Sequence, residues 1–371
     1  DYGNFVGNQA LLQPFRPVAG GAVDPVTEAI RGDWHKVALD SPSDTNRKIK
    51  GVSAEITYSF SDAAVLKSLT AYRKSDLNYV SDTDATDLHR QETRQQEYQD
   101  QFSEELNLSG RVDRFKYVLG LYYFDEHIDT DSTVTAFNLN RVTNPAPTVD
   151  TKAWSGYGQG SFDVTDQFTL TAGIRYTDEK KDFDQYLNIY TLSTGAPLAT
   201  YPRRYLNQGH YKAWTPKFGA EYKVTDDVML YASATRGFKS GGFNFSSGNN
   251  AQGFAPETLW SYEAGFKTEF ADKRVRLNGS AFTYDYKDLQ VQSFLVPGVT
   301  DITNASDAKV EGIELELTTR PVTGLDIGGT LTYLDARYKN YPQAPIPGTN
   351  PAVTIDASGK FLNSSDRKSV V

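Results

Sequence analysis

The stretch Val228–Lys287 reads VMLYASATRGFKSGGFNFSSGNNAQGFAPETLWSYEAGFKTEFADKRVRLNGSAFTYDYK. Its middle strand carries Trp260, Tyr262, Ala264, Phe266 and Phe270 on one parity and Ser261, Glu263, Gly265, Lys267 and Glu269 on the other. Successive side chains of a strand point to opposite faces, so one face is aromatic and apolar and the other charged. The short turn Ala271-Asp272-Lys273 leads into a second long strand, and a Gly/Asn/Ser-rich loop, 241–253, precedes the first. Long strand, tight turn, long strand, long loop is the signature of a membrane-spanning β-barrel.

The pattern recurs along the chain. Six hairpins are expected: 48–60 with 65–79, 96–109 with 114–126, 152–164 with 168–181, 210–223 with 228–240, 257–270 with 274–288, and 306–320 with 325–338. Turns such as Thr165-Asp166-Gln167 and Thr225-Asp226-Asp227 have the length and composition of hairpin connections. Long connections alternate with them, over roughly 80–95, 127–151, 182–209, 241–256, 289–305 and from 339 onward. Short turns at one end and long loops at the other match the periplasmic and extracellular sides of a barrel. The expected strands run to roughly 13 residues, beyond the ~9–11 that a tilted strand needs to cross the hydrocarbon. Residues 1–47, broken by Pro14, Pro17, Gly20, Gly21 and Pro25, read as a long loop with at most one strand.

The alternation assigns faces. Phe115, Leu119, Leu121, Leu170, Ile174, Phe218 and Phe266 are expected to meet lipid, and Arg175, Lys217, Glu221, Glu263 and Lys267 to meet the lumen. Strands 65–79, 152–164 and 274–288 are ambiguous in parity and receive no face. A β-sandwich would use strands nearer 5–6 residues and turn its apolar face inward. The fold class is therefore all-β, an antiparallel transmembrane barrel portion of about twelve strands.

Composition bounds the rest. The 371 residues hold 23 Tyr, 20 Phe and 4 Trp, no Cys and a net charge of -9. That charge disfavours a nucleic-acid partner. No apolar run is long enough for a transmembrane helix. Negative mean hydropathy is no argument for solubility here, because an alternating strand averages to near neutral.

Most candidate motifs have a plainer reading. GFKSGGF at 237–243 lacks the second Gly before Lys239 that a phosphate loop needs, so it reads as a strand end entering a loop. His35, His89, His127 and His210 lack metal-site spacing. The acidic runs Asp82, Asp84, Asp87 and Asp125, Glu126, Asp129, Asp131 lack the Gly and distal Glu of a calcium loop and read as solvated loops. There is no G-x-S-x-G elbow, and no enzyme, cofactor or resident metal is expected. Loop aromatics Tyr190, Tyr201, Tyr205, Phe243 and Phe245 are the candidate ligand contacts, since stacking surfaces suit an aromatic chelate.

Five phrases resemble barrel segments of the TonB-dependent outer-membrane receptors of the iron-siderophore type, in that family's order. They are LKSLTAYRK (66–74), LYASATRGFKSGGFN (230–244), PETLWSYEAGFKTEF (256–270), AFTYDYKDLQV (281–291) and NASDAKVEGIELELTTRPVTGLDIGGTLTYLDARY (304–338). The resemblance covers about 48–338. It implies part of a 22-stranded barrel in the bacterial outer membrane that takes up ferric siderophore or a similar scarce ligand by energy-coupled transport. The implied partners are the TonB complex, engaged through an N-terminal part not found in this sequence, the ferric chelate, and outer-membrane lipid with lipopolysaccharide. The alternative is a passive porin-like or structural barrel. No plug sequence, TonB box or closing aromatic strand is recognised, so the sequence is expected to be a middle portion of a barrel. Residues 339–365 are expected to form an extracellular loop. Residues 366–371, DRKSVV, coincide with one reading frame of a common sequencing adapter and are expected to be foreign.

Overall fold

A computed structural model describes residues 39, 41–61, 63–83, 89–245, 253–296, 299–345, 353–362 and 368–370. Twelve long strands dominate. They are β1 (Asp44–Ser61), β2 (Ala64–Asp82), β3 (Gln91–Val112), β4 (Phe115–Ala136), β5 (Arg141–Asp163), β6 (Phe168–Thr191), β7 (Arg203–Thr225), β8 (Val228–Lys239), β9 (Glu257–Phe270), β10 (Val275–Val296), β11 (Val299–Val322) and β12 (Leu325–Asn340). They form one antiparallel sheet in chain order, every strand bonded to the one before it. The segment Lys368–Val370 pairs with Leu331–Tyr333 of β12. Among the described residues β1 pairs with β2 alone, and no bonded seam joins it to β12.

The strand pairs and short turns fall where the alternation puts them. The long connections do not. Much of 127–151 and 182–209 is strand: β4 runs on to Ala136, β5 starts at Arg141, β6 runs on to Thr191 and β7 starts at Arg203. Likewise β10 and β11 continue to Val296 and from Val299, inside the connection expected at 289–305. The reason is physical. Beyond the hydrocarbon a strand needs no apolar face, so polar cross-strand pairs suffice to hold it. Asn144 Nδ2 donates to Asp131 Oδ1 (2.6 Å), and Arg204 holds Asp184 with two bonds of 2.9 and 2.6 Å. Such sequence looks like loop to a search for alternation. Asp84 and Asp87 lie outside the described residues.

Register settles which side chains share a face. Arg175 stands opposite Tyr157 and Thr215, Lys217 opposite Gly173 and Thr235, Glu221 opposite Thr169, and Glu263 opposite Ser233, so these residues line one face. Lys267, four residues beyond Glu263, has the same parity. Side chains here reach past an intervening strand. Tyr157 on β5 crosses Gly120 of β4 to bring its Oη 2.5 Å from both Glu105 Oε1 and Asn107 Oδ1 on β3. The Arg175 guanidinium lies 5.5 Å from the Tyr122 ring and 5.4 Å from the Tyr157 ring. We call this the inner face.

The other face is apolar. Phe115, Leu119, Leu121, Leu170, Ile174 and Phe218 are exposed there, and Phe266 is half-buried over Gly279. β5 reads ambiguously because its outer positions 156, 158 and 160 are glycines. Neighbouring side chains cover them: a Cβ at Gly160 would meet the Phe115 ring at 2.7 Å, and one at Gly158 would meet Leu119 at 3.0 Å.

Two rows of outer-face rings run across the sheet. The pairs are Phe115 with Tyr123, Phe162 with Trp154, Phe168 with Tyr176, Tyr222 with Trp214, and Phe270 with Tyr262, each eight residues apart on its strand. Eight residues span about 26 Å along a strand, or about 20 Å across a membrane at the usual tilt. That approaches the ~25 Å apolar band of outer-membrane barrels. In the upper row the Tyr176 ring centroid lies 5.3 Å from Trp154 and 4.7 Å from Trp214.

Above the upper row the outer face turns charged. His127 Nδ1 lies 2.7 Å from Asp150 Oδ1, with Asp100 opposite it on β3 and Asp129 beside it. The hydrogen bond to Asp150 raises the His127 pKa, against partial burial. A raised folded-state pKa gives stability that is full below the unfolded value of ~6.5 and is lost as pH rises through the folded value. Both side chains are substantially exposed, which limits the effect to about 1 kcal/mol. His127→Gln should therefore cost stability below about pH 6 and nothing at alkaline pH. Urea unfolding at several pH values checks this, and a loss independent of pH would contradict it.

Candidate ligand-binding site

Above the upper ring row, β6 carries Glu179, Lys181, Phe183, Gln185, Leu187 and Ile189 on its inner face, and β7 places Tyr211, Asn207, Tyr205 and Arg203 opposite four of them. The chain beyond β8 folds against this wall. Lys181 Nζ donates to Ser240 Oγ (2.7 Å) and Gly241 O (2.9 Å), and the Phe243 ring packs 5.2 Å from Phe183. Asn244 exchanges two 2.8 Å bonds with the Ile302 backbone of β11. Gln290 Nε2 donates to Ser240 O (2.9 Å). The 240–244 segment thus ties β6 to β11, five strands further round the sheet.

The site is part apolar and part cationic. Phe183, Leu187 and Ile189 are buried. Among the described residues, Gln185 is 1 % exposed with both amide atoms unpaired, and the buried hydroxyl of Tyr205, opposite it, has no hydrogen-bond partner. An unmade bond at a buried amide costs ~1–3 kcal/mol, so this spot favours a guest offering both a donor and an acceptor. Arg203 supplies positive charge and lies 4.7 Å from the Tyr201 ring. Lys181 is shared with Glu179 at 3.0 Å. Together these groups suit a flat or apolar body bearing negative charge.

Of the five expected contacts, Tyr205 and Phe243 come to this stretch of β6, and Tyr201 stands by Arg203. Tyr190 lies on the opposite parity of β6, opposite Val142, and Phe245 is exposed beyond Asn244. Phe183, Gln185 and Arg203 were missed because 182–209 reads as loop, and Lys181 because it stands at the end of the expected strand 168–181 with nothing to mark it as a contact. A parity count continued past Thr177 would have found the β6 residues. A cavity of about 500 Å³ lies mainly on the outer face, where Thr148, Asp150, Asp182, Asp184, Leu206 and Gln208 line it, and so is not part of this site. Among the described residues no group of three or more His, Asp or Glu side chains is placed to hold a metal ion.

Comparison with known proteins agrees with this architecture. The metal-pseudopaline receptor CntO of Pseudomonas aeruginosa is 26% identical over 178 residues, covering 48% of this chain and 23% of that protein. The rhizobactin receptor of Rhizobium meliloti is 26% identical over 218 residues, covering 52% of this chain and 28% of that protein. The chain thus matches about a quarter of the length of these curated relatives. Among solved structures, the siderophore receptor PiuA of Acinetobacter baumannii superposes with a TM-score of 0.68 at 16% identity, over 90% of this chain and 53% of that one. The ferric yersiniabactin uptake receptor FyuA of Yersinia pestis gives 0.66 at 20% identity, over 85% and 45%. At such identities the superpositions speak to fold. The family model described as TonB dependent receptor-like, beta-barrel matches residues 1–367, and the chain belongs to that family.

Proposed function

We propose that the protein is part of an outer-membrane receptor that takes up a ferric siderophore or a similar scarce chelate by active transport coupled to the TonB complex. The observation carrying this reading is the inner-face group of Lys181, Phe183, Gln185, Arg203, Tyr205 and Phe243 at the long-loop end of a barrel of this family. Aromatic rings and cations there suit an anionic chelate, and polar groups on the inner face below it suit a hydrated interior. Arg175, Lys217, Glu221, Glu263 and Lys267 line the lumen in this reading, and Tyr190 and Phe245 are not primary contacts.

The test uses the parent gene in a strain lacking its own siderophore receptors. Radioiron uptake from a panel of chelates should appear for one chelate class and vanish when TonB is deleted. Arg203→Glu should weaken binding of that chelate by about tenfold, equivalent to ~1.4 kcal/mol. Uptake that persists without TonB would instead identify a passive porin-like barrel.

A further inference from the structure

We propose that the outer wall of β1 and β2 binds a phosphate of an outer-leaflet phosphorylated glycolipid between Lys48, Lys50 and Lys74. The proposal rests on the barrel and its orientation, and is independent of the chelate that the inner face takes.

Register sets the geometry. Lys74 is the next outer-face residue above Tyr72, which stands opposite Val52 and Phe102. Lys50 stands directly opposite Lys74, and Lys48 is one outward step further along β1. Like charges directly opposite each other on neighbouring strands are destabilising. Asp100 faces Lys74 and Asp76 faces Lys48 across the ladders, yet among the described residues none of the three lysines is ion-paired. The Lys74 ammonium is drawn to aromatic rings instead, 5.7 Å from the Tyr72 centroid and 5.6 Å from that of Tyr98. Its N–H groups reach the Tyr72 and Tyr98 hydroxyls, and with three donors the ammonium still has one for a further acceptor.

A phosphate between Lys50 and Lys74 converts their repulsion into two charge-assisted bonds, and Lys48 stands in reach of a further oxygen. The level is right for a headgroup, because the rings of Tyr72, Tyr98 and Phe102 mark the membrane interface. The end of the sheet is right as well, since the long connections mark the outer side of such barrels. In a Gram-negative outer membrane that leaflet consists largely of phosphorylated glycolipid. The exposed Tyr72 and Tyr98 rings add flat faces suited to a sugar. A second in-register lysine pair, Lys152 with Lys180, lies above Trp154, but there Asp125 sits 3.7 Å from Lys152. Among the described residues, the β1–β2 pair has no counter-ion.

The parent receptor, purified in mild detergent, should be probed by native mass spectrometry with bisphosphorylated lipid A, dephosphorylated lipid A and phosphatidylglycerol. The wild type should retain bisphosphorylated lipid A in preference to the other two. Lys50→Ser with Lys74→Ser should lower that retention by about tenfold, a change of ~1.4 kcal/mol. Lys50→Arg with Lys74→Arg should preserve it, as should Lys67→Ser on the inner face, where Lys67 pairs with Glu55 at 2.6 Å. Heat-modifiable gel mobility reports folding; should the double serine variant misfold, Lys50→Gln alone carries the same expectation. Equal retention by wild type and folded variant overturns the proposal. Equal retention of the dephosphorylated lipid overturns it too, and so does equal retention of phosphatidylglycerol.

Discussion

Replacing Leu170 by Arg should impair assembly of the barrel, while Thr171→Arg, one residue along the same strand, should be tolerated. Leu170 is exposed on the apolar face of β6, two residues above the lower ring Phe168. Thr171 points to the other face, with its Oγ1 2.8 Å from Ser161 Oγ. An arginine on the lipid face near the midplane costs ~2–4 kcal/mol, falling toward zero at the interface. At the inner face the guanidinium joins a polar wall that already holds Arg175 and Lys217. The parent receptor should be refolded into lipid vesicles and its folded fraction measured against urea. Leu170 lies about a quarter of the way from the lower ring row to the upper, so the two variants should differ by ~1–2 kcal/mol. Equal loss in both would mean that the faces are exchanged or that the sheet does not meet lipid.

The second large effect is expected at Gly120. A Cβ there would lie 2.1 Å from Cζ of Tyr157, whose ring covers the glycine on its way to Glu105 and Asn107. Gly120→Val should displace that ring and leave Glu105 without its phenol. Overpacking and the lost bond together should cost ~2–5 kcal/mol. The effect is local, so combining Gly120→Val with Tyr157→Ala should be less harmful than the sum of the two by at least ~0.5 kcal/mol. Strict additivity in urea titrations of the four proteins would show that the ring does not occupy that position in the membrane.

Much of the architecture was legible in residue order. In a membrane, every strand must present apolar side chains to lipid on alternate positions, and an all-strand span must satisfy its backbone through its neighbours. Phe115-Lys116-Tyr117-Val118-Leu119 and Phe168-Thr169-Leu170-Thr171 carry that demand openly, and the short turns between strands fix antiparallel order. Strand number, hairpin order and the outer-membrane β-barrel class follow from these local constraints. The ambiguity of 152–164 also has a local cause. Glycines at 156, 158 and 160 put no apolar atoms on the outer face, and Leu119 and Phe115 of β4 supply them from next door.

The candidate site was legible only in part. Tyr205 and Phe243 declare themselves as aromatics in polar surroundings. Gln185 does not, since nothing in its type or spacing says that it will be buried opposite Tyr205 with no partner among the described residues. Lys50 and Lys74 likewise look like ordinary surface lysines until the register sets them face to face.

The sequence alone thus determined where the chain crosses the membrane, because lipid imposes the alternation on every crossing segment. Tertiary structure decided how far β4, β6, β7, β10 and β11 rise beyond the rings, and which residues meet at those heights. In water no face has to be apolar, so the period-2 signal fades. Strand length is then set by pairing with a neighbour, and that depends on register between residues distant in the chain.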